Sequence, residues 1–450
     1  MNLSKEELVK LQHEIEKMGG RKRYIEAELV RRGIVIEQRR SMKSFEDKAA
    51  KSKYIENRKK EEEARAELRT LTWAAHKTTN ISYLGEGIFW SDSLGVDFFD
   101  PYERSERRVD NDIPELETIE DLVAALAAAV PDLDVPKLRW FCYHRDVAEV
   151  THYRTFSIPK KSGGKRYISA PMPQLKALQE WILRNILVRL PVHEAAHGFI
   201  HGRSIVTNAA VHTNSSFVLS MDLKDFFPTL TFRRVKGIFR AIGYLEGIAT
   251  ILALICTESP RQPICLKDPQ TGEDKWVHVA LGTRCLPQGS PASPMLTNLA
   301  ALRLDRRLTG FAQKFGLRYT RYADDLSFSL SSSADVSHDT NWLQKVITQI
   351  VKSEGFVVHP DKTKVMGRGN RQEVTGLVVN DDAPPRVPRE VKQKLRAAVN
   401  NQEQGKPFHA DEDVNTLLGY ASFVYSAQPQ IGSTYLERLL ALLDSAPETE

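Results

Sequence analysis

The sequence predicts an α+β protein whose antiparallel sheet carries acidic residues and whose C-terminal region is helical. Three observations predict this class. Residues 217–222 and 318–330 alternate apolar and polar side chains as strands do. Residues 294–311 carry an apolar stripe at helical spacing, and the pattern beyond Pro384-Pro385 is helical. At 450 residues the chain is long enough for several domains, each with its own core.

Composition and charge favour a soluble protein of a reducing cytoplasm. The formal net charge of +5 permits a polyanionic partner without identifying one. The four cysteines form no C-x-x-C pair, which argues against a zinc site and against a disulfide framework. The N-terminus lacks an apolar signal core, and the apolar runs are too short to span a bilayer. We therefore expect a cytoplasmic protein without a membrane partner.

Residues 1–71 are predicted to form a basic helical extension. Residues 1–70 contain 19 Lys and Arg against 14 Asp and Glu, a net charge of +5 in that stretch alone. Two interpretations remain open, a surface helical hairpin or a docking element for RNA or a partner protein, because a charge run often marks only a solvated face.

Two predicted strand elements carry three carboxylates. Asp222 ends the first strand, on the face opposite its apolar side chains, where a carboxylate is open to a cleft. Asp324 and Asp325 follow Tyr322-Ala323 at the tip of a hairpin. The apolar residues of that hairpin alternate with serines, so we expect it to be half-buried.

The carboxylates predict a magnesium site. Hard oxygen ligands with no His or Cys nearby are those that Mg²⁺ prefers. Two such ions about 4 Å apart can activate an attacking hydroxyl and stabilise a leaving pyrophosphate when a nucleic-acid strand is extended. Asp222 and Asp324 are expected to bridge both ions, with Asp325 in support. An Asp-Asp pair can also merely decorate a turn, but that interpretation leaves the following elements unexplained.

Two further motifs are predicted to handle a nucleotide. Phe227, five residues after the first carboxylate, is expected to lie against the sugar and to leave no room for a 2′-hydroxyl, whereas Phe226 is expected in the core. Gln288-Gly289 precede a helix with a predicted N-cap at Ser293, and there the backbone can approach a base pair closely.

Cations are predicted to meet the triphosphate. Lys165 and Arg166 lie in a predicted hairpin over residues 155–170 and could clamp phosphates, Arg through its planar fork. Exposed basic hairpins are common, so this motif is weak alone. Lys362 is a further candidate, near the leaving pyrophosphate.

Taken in order, these motifs resemble a reverse transcriptase over roughly residues 72–445. Asp222 with the aromatics that follow it resembles the family's first catalytic motif, and residues 286–294 resemble its second. Tyr322–Asp325 resembles the Y-x-D-D box, and Lys362 the lysine after it. Two short elements are similar to those of retron reverse transcriptases: Asn208–His212 to N-A-x-x-H, and Val374–Gly376 to V-T-G. Each is weak alone, but both stand in the expected places around a complete polymerase set.

The retron resemblance implies a specific activity. Such enzymes bind their own structured RNA (msr-msd). The 2′-hydroxyl of a guanosine in that RNA primes DNA synthesis, and dNTPs are the substrates. The product is a branched RNA–DNA molecule (msDNA), and the systems act in anti-phage defence, some with an effector or toxin protein. The RNA-recognition residues would be Asn208, His212, Val374, Thr375 and Gly376. A hydrogen-bonded structural histidine is an equal alternative for His212.

The resemblance also implies a right-hand polymerase. We expect fingers over residues 72–215, a palm over 216–383 with a fingers insertion near 235–285, and a thumb over 384–450. The first thumb helix would present cations to the phosphates of a template–primer duplex, with a solvated helix surface as the alternative. These cations are Arg386, Arg389, Lys392, Lys394 and Arg396.

Three rival functions are weighed against this one. A group II intron-type reverse transcriptase would carry a maturase region after the thumb, where this chain is expected to end. An RNA-dependent RNA polymerase would more often show G-D-D, and Phe227 opposes ribonucleotides. A catalytically inactive scaffold for RNA or a toxin would not need the three intact carboxylates.

Overall fold

A computed structural model describes residues 17–18, 23–24, 27, 56, 59–60, 62–64, 66–67, 83–85, 88–89, 104–143, 146–159, 165–267, 273–333, 339–406 and 413–444. The predicted basic extension over residues 1–71 lies almost wholly outside them. Lys160, Lys161 and residues 162–164, the turn of the predicted basic hairpin, also lie outside them. Within these ranges, no helix has both the length and the apolar character needed to cross a bilayer.

Runs of helices and runs of strands follow one another along the chain. The helices are α1 (Arg104–Asp110), α2 (Ile119–Ala127), α3 (Val135–Cys142), α4 (Pro173–Asn185), α5 (Ile205–Ala210), α6 (Phe232–Ala241), α7 (Glu246–Cys256), α8 (Ser293–Ala300), α9 (Leu302–Lys314), α10 (Thr340–Ser353), α11 (Arg389–Glu403), α12 (Val414–Ala427) and α13 (Pro429–Asp444). The strands are β1 (Tyr83–Gly85), β2 (Ile88–Phe89), β3 (Val147–Ala148), β4 (Tyr153–Pro159), β5 (Lys165–Pro171), β6 (Ser215–Asp222), β7 (Arg261–Lys267), β8 (Asp274–Ala280), β9 (Leu317–Tyr322), β10 (Asp325–Ser331), β11 (Lys364–Gly367), β12 (Glu373–Val374) and β13 (Leu377–Val378).

The described residues form two compact units, one within Met1–Arg189 and Lys236–Arg284 and the other within Leu190–Val235 and Cys285–Glu450. In the first unit, α7 is buried from Gly247 to Cys256. The Gln179 amide of α4 donates to the Ile255 carbonyl and to the Tyr153 hydroxyl, at 2.8 Å each, and so ties α7 to α4 and β4. Three antiparallel sheets, β1–β2, β4–β5 and β3–β8–β7, complete the described part of this unit. The fingers, palm and thumb boundaries remain a prediction.

The second unit is built on the antiparallel sheet β11-β6-β10-β9. One side, the helix-covered face, carries the apolar side chains of β6 and β10, and α9 packs against β9 there. The opposite side, the cavity face, carries Asp222 and Ser220 of β6 with Asp325, Ser327 and Ser329 of β10. Asp222 therefore lies opposite the apolar face of its strand, as predicted.

The predicted half-buried hairpin is wrong, because the cavity face is also covered. Ser327 and Ser329 are buried as deeply as the apolar side chains that alternate with them along β10. Helix α5 contacts β9 and the β12–β13 hairpin, and Val218 packs into an apolar cluster with residues of α11–α13. Polar alternation here marks a second interior surface and not a solvated one.

The predicted helix over residues 294–311 is two helices, α8 and α9, that meet at Ala301. The predicted N-cap is also wrong. Helix α8 begins at Ser293 itself, its N-cap is Ala292, and the buried Ser293 hydroxyl finds no hydrogen-bond partner among the described residues. Helices α11–α13 fill the predicted helical C-terminal region.

Candidate active site

Asp222 and Asp325 face each other where β6 and β10 pair. The register places Asp325 directly opposite Asp222, whose residue is 8% exposed. Like charges opposite each other in an antiparallel pair repel. Burial, together with the negative charges of Asp324 and Asp222, raises the pKa of Asp325 to about 6. A pair of carboxylates held in this way favours a bound cation.

A two-residue turn, Ala323-Asp324, joins β9 to β10 and supplies the third carboxylate. Ala323 is left-handed, with φ of 55°, as the first central residue of a type II′ turn is. This conformation costs an alanine about 1–2 kcal/mol. The Leu223 N–H donates to the Asp324 carbonyl at 2.9 Å, so the strand end that carries Asp222 also fixes the turn.

Arg321, the residue before the Y-x-D-D box, supports the turn from the helix-covered face. It is fully buried and donates from Nη2 and Nε to the Asp305 carboxylate of α9, at 2.7 and 2.9 Å. Its Nη1 donates to the Ala323 carbonyl and to Asn298 Oδ1, at 3.0 Å each. The sequence analysis missed this residue, although its signal was present: Arg321 occupies an apolar register position of β9.

Lys362 lies on the first carboxylate. Its ammonium donates to both oxygens of Asp222 at 3.0 Å, and it lowers the pKa of Asp325 against the stronger effects that raise it. Its predicted role at the leaving pyrophosphate stays a prediction.

The carboxylates fit divalent ions that share their ligands with a substrate. No three His, Cys, Asp or Glu side chains converge on one metal position in the part of the chain that the structure describes. Mg²⁺ is usually bound through one or two carboxylates, with waters and substrate phosphates completing its shell. Asp222, Asp325 and Asp324 match that demand. The closest strand pairing is Asp222 with Asp325, whereas the sequence favoured Asp222 with Asp324 as the bridging pair.

The two aromatics after Asp222 differ in exposure. Phe226 is buried against Phe356, as predicted, and Phe227 is half-buried. Gln288 is half-buried and Gly289 exposed, with φ of 120°. Their segment lies beside the one that follows Phe227, because the Leu286 N–H donates to the Leu230 carbonyl at 3.0 Å. The proximity agrees with a shared nucleotide site, which stays a prediction.

Lys165 and Arg166 are both exposed on the β4–β5 ribbon of the first unit. Consecutive residues of a strand point to opposite faces. Arg166 pairs with Ile158, and Lys165 pairs with Pro159. The two side chains therefore leave the strand on opposite faces, and their predicted contact with a triphosphate stays a prediction.

His212 and Asn208 are both fully buried, so neither side chain is open to a direct contact with RNA, and their predicted part in RNA recognition stays a prediction. His212 Nδ1 lies 2.8 Å from Ser329 Oγ and its Nε2 lies 2.7 Å from Thr320 Oγ1. Burial, assisted by the charge of Arg318, lowers the pKa of His212 to about 3, so the imidazole is neutral. His212 is the structural histidine of the alternative interpretation, and it satisfies the buried hydroxyls of the cavity face.

The V-T-G element is the turn of the β12–β13 hairpin. Thr375 and Gly376 are both left-handed, with φ of 48° and 79°, as in a type I′ turn. The Thr375 hydroxyl donates to the Ile205 carbonyl of α5 at 3.1 Å, while Val374 is buried beside Ala209 of α5. The two short retron-like elements thus pack on each other. Val374 is buried and not open to a direct contact with RNA, and the part of this element in RNA recognition stays a prediction.

A cavity of about 400 Å³ lies between this hairpin and the four-stranded sheet that carries Asp222 and Asp325. Tyr322, Asp325, Thr375 and Gly376 line it, and they were singled out from the sequence. The sequence analysis missed the other lining residues, which have no motif of their own: Ile205, Ser220, Ser327, Lys364, Met366 and Glu373.

The predicted thumb cations are partly engaged within the protein. Arg386 forms an ion pair with Asp381 at 2.5 Å, and Lys392 donates to Gln428 Oε1 at 3.1 Å. Arg389 is exposed at the start of α11. A role for them on a duplex stays a prediction.

Comparison with known proteins identifies the family. Residues 158–380 match the family Reverse transcriptase (RNA-dependent DNA polymerase). The chain is 43% identical to the Retron Mx162 reverse transcriptase of Myxococcus xanthus, over 97% of this chain and 90% of that protein. It is 42% identical to the Retron Mx65 reverse transcriptase of Myxococcus xanthus, over 71% of each. It is 35% identical to the Retron Ec86 reverse transcriptase of Escherichia coli, over 68% of this chain and 86% of that protein.

These relatives confirm the predicted right-hand polymerase fold and the resemblance read from the motifs. Reverse transcriptases generally use divalent metal ions, and an RNA template is implied as a partner. The chain belongs to the retron reverse transcriptases, and it is an RNA-directed DNA polymerase.

Proposed function

We propose that the chain copies a cognate structured RNA into DNA by two-metal nucleotidyl transfer, with two Mg²⁺ ions held by Asp222, Asp324 and Asp325. The observation that carries this is the direct strand pairing of Asp222 with Asp325 beside the turn that holds Asp324. When bound, the ions activate the attacking hydroxyl and offset the charge of the leaving pyrophosphate. The three carboxylates position both ions relative to the sheet.

The nucleotide is oriented by residues around Phe227. The ring of Phe227 lies against the sugar and excludes a 2′-hydroxyl, which selects deoxynucleotides. Gln288 and Gly289 approach the nascent base pair, since an exposed glycine permits close backbone contact. The negative charge of the triphosphate is balanced by Lys362 and by Lys165 or Arg166.

The priming nucleoside occupies the cavity beside Asp325. Its 2′-hydroxyl is the group that is extended, so the product is branched msDNA joined to the msr-msd RNA. Support comes from the cavity lining, in which Thr375 and Gly376 of the V-T-G element share one space with Tyr322 and Asp325. Cations of the thumb contact the phosphates of the growing duplex. These are Arg386, Arg389 and Lys392.

The biological setting is part of the same proposal, and family membership supports it. The enzyme works in the cytoplasm as part of an anti-phage defence system, with dNTPs as substrates and the RNA–DNA product as its lasting partner. An effector protein completes the system, and the basic region over residues 1–71 is its candidate docking element.

A dNTP-incorporation assay with Mg²⁺ tests the catalytic assignment. The variant Asp324→Asn plus Asp325→Asn is expected to lose incorporation, because neutral amides are poor ligands for Mg²⁺. The matched control is Asp382→Asn, which neutralises an exposed aspartate away from the three carboxylates and should keep the activity. Equal activity in the parent chain and the catalytic variant would sink the proposal.

Sequencing the nucleic acid that copurifies with the chain tests the priming assignment. DNA joined to an internal 2′-position of an RNA is expected. Alkali should hydrolyse the rest of the RNA and leave the DNA attached to the branch-point ribonucleotide, whose 2′-oxygen is esterified. DNA without attached RNA, beside a neighbouring intron, would favour the group II rival instead.

A further inference from the structure

Three residues in the described part of the chain are left-handed although they are not Gly, Asn or Asp. They are Phe199, Ala323 and Thr375, with φ of 63°, 55° and 48°. Such residues are strained, and strain persists where the surrounding structure over-determines it, often at functional sites. Ala323 lies in the catalytic turn and Thr375 lines the cavity. Phe199 is the third member of this set, and no function has yet been assigned to it.

The backbone of Phe199 is locked to the catalytic turn. Its segment runs along β9: the Arg321 N–H donates to the Ala195 carbonyl, and the His197 N–H donates to the Arg321 carbonyl, at 2.7 Å each. A Cβ added to Gly198 would lie 2.6 Å from the Ala323 nitrogen, so glycine alone permits this approach. The Asn298 amide donates to the Gly198 carbonyl at 2.9 Å.

The side chain of Phe199 is not what stabilises its strained backbone. Phe199 is 47% exposed, so burial of the ring compensates for the strain only in part. Its ring instead contacts Phe227 edge to face, with the ring centroids 6.4 Å apart and the planes at 70°. An exposed aromatic ring on a rigid, strained backbone is suited to holding another ring in place.

We propose that Phe199 is a specificity-determining residue that fixes the ring of Phe227 against the sugar of the incoming nucleotide. This inference rests on the proposed role of Phe227. Phe226 supports Phe227 from the core, with ring centroids 6.1 Å apart, and Phe199 supports it from the solvent side. Because Gly198 is locked to Ala323, the position of the Phe227 ring is tied to the position of the catalytic turn.

The test compares kcat/KM for a dNTP and for the matching rNTP. Phe199→Gly suits a left-handed backbone and should fold as the parent chain does, while it removes the ring. The preference for dNTP is expected to fall about threefold to tenfold, the effect of losing one edge-to-face aromatic contact. The fall should come from a lower KM for the rNTP, with kcat for the dNTP nearly unchanged. Phe199→Tyr keeps the ring and should restore the preference.

Two further variants separate this inference from the gate itself. Phe227→Ala should relax the preference more strongly, and adding Phe199→Gly to it should change nothing more if Phe199 acts through Phe227. Unchanged preference in Phe227→Ala would overturn the gate and this inference together. A relaxed Phe227→Ala with an unchanged Phe199→Gly would overturn this inference alone, as would additive effects in the double variant.

Trp342→Ala is the matched control for loss of an exposed ring. Trp342 is 42% exposed and contacts Phe315 instead of Phe227. Its dNTP preference should equal that of the parent chain. A comparable fall in this control would attribute the Phe199 effect to general loosening of the unit and would overturn the inference.

Discussion

Two tight turns of the second unit are held in different ways. The same cavity is lined by Tyr322 and Asp325, which flank the first turn, and by Thr375 and Gly376 of the second. The catalytic turn, Ala323-Asp324, and the V-T-G turn, Thr375-Gly376, each join two antiparallel strands through two residues. Each also contains a non-glycine residue in the left-handed region. The catalytic turn is secured by the buried Arg321–Asp305 ion pair and by the hydrogen bond from Arg321 to the Ala323 carbonyl. The V-T-G turn is secured by the hydrogen bond from the Thr375 hydroxyl and by apolar packing.

This difference indicates that the two turns tolerate the loss of their contacts to different degrees. A buried charge that loses its partner is costly. The catalytic turn is therefore expected to keep a single geometry for as long as the unit stays folded. Apolar packing and a single neutral hydrogen bond give way more gradually. We infer that the turn that carries Asp324 is rigid, while the V-T-G turn, which is proposed to meet the primer, retains limited freedom.

The largest expected effect comes from removing the carboxylate beneath the catalytic turn. Asp305→Ala leaves the Arg321 guanidinium buried without its counter-charge and removes the acceptor of the Tyr319 hydroxyl. Breaking a buried pair in this way destabilises by about 3–5 kcal/mol. Urea unfolding of the variant against the parent chain measures the loss.

Replacing both partners distinguishes stability from geometry. Asp305→Leu plus Arg321→Met should recover much of the lost stability, because two apolar side chains replace two charges. Activity should stay low, since the Ala323 carbonyl loses its donor from Arg321. Full activity in this double variant would show that the ion pair does not position the catalytic turn.

The next largest effect is expected at Gly198. In Gly198→Ala the new Cβ would meet the Ala323 nitrogen at 2.6 Å, and neither backbone can yield without moving the catalytic turn. A displacement below 1 Å at reacting groups lowers kcat by about tenfold to a hundredfold. Single-turnover incorporation rates measure the effect. Gly310→Ala, an exposed helical position with open space around it, is the control and should match the parent chain.

The elements predicted correctly are those with local signals. The strand around Asp222, the hairpin that carries Asp324 and Asp325, and the core position of Phe226 follow from alternation and spacing within a few residues. The corrections concern contacts between distant segments. His212 meets Ser329 and Thr320 across 117 and 108 residues. Thr375 meets Ile205 across 170 residues. No local pattern shows that a serine-bearing strand face will be covered by a helix, so the cavity could not be predicted.

A smaller effect is expected from the electrostatics of the catalytic turn. The pKa of Asp325 rises from 3.8 to about 6 on folding, so between those pH values the folded chain binds more protons than the unfolded chain. Stability therefore falls as the pH rises through that window and remains reduced above it. In EDTA at pH 7.5, Asp325→Asn should be more stable than the parent chain, by on the order of 1 kcal/mol. Thermal unfolding at pH 4 and pH 7.5 checks this, and an equal difference at both would contradict it.

The smallest effect is expected at the V-T-G turn. Thr375→Val keeps the branched shape and the strained backbone but loses the hydrogen bond to the Ile205 carbonyl, which is worth about 1 kcal/mol. Because the turn is proposed to meet the primer and does not hold the carboxylates, KM for the template–primer should rise while kcat stays nearly constant. Urea unfolding and steady-state kinetics measure the two quantities. If Thr375→Val instead costs as much stability as Asp305→Ala, or lowers kcat as Gly198→Ala does, the two turns are equally rigid and the proposed division between them fails.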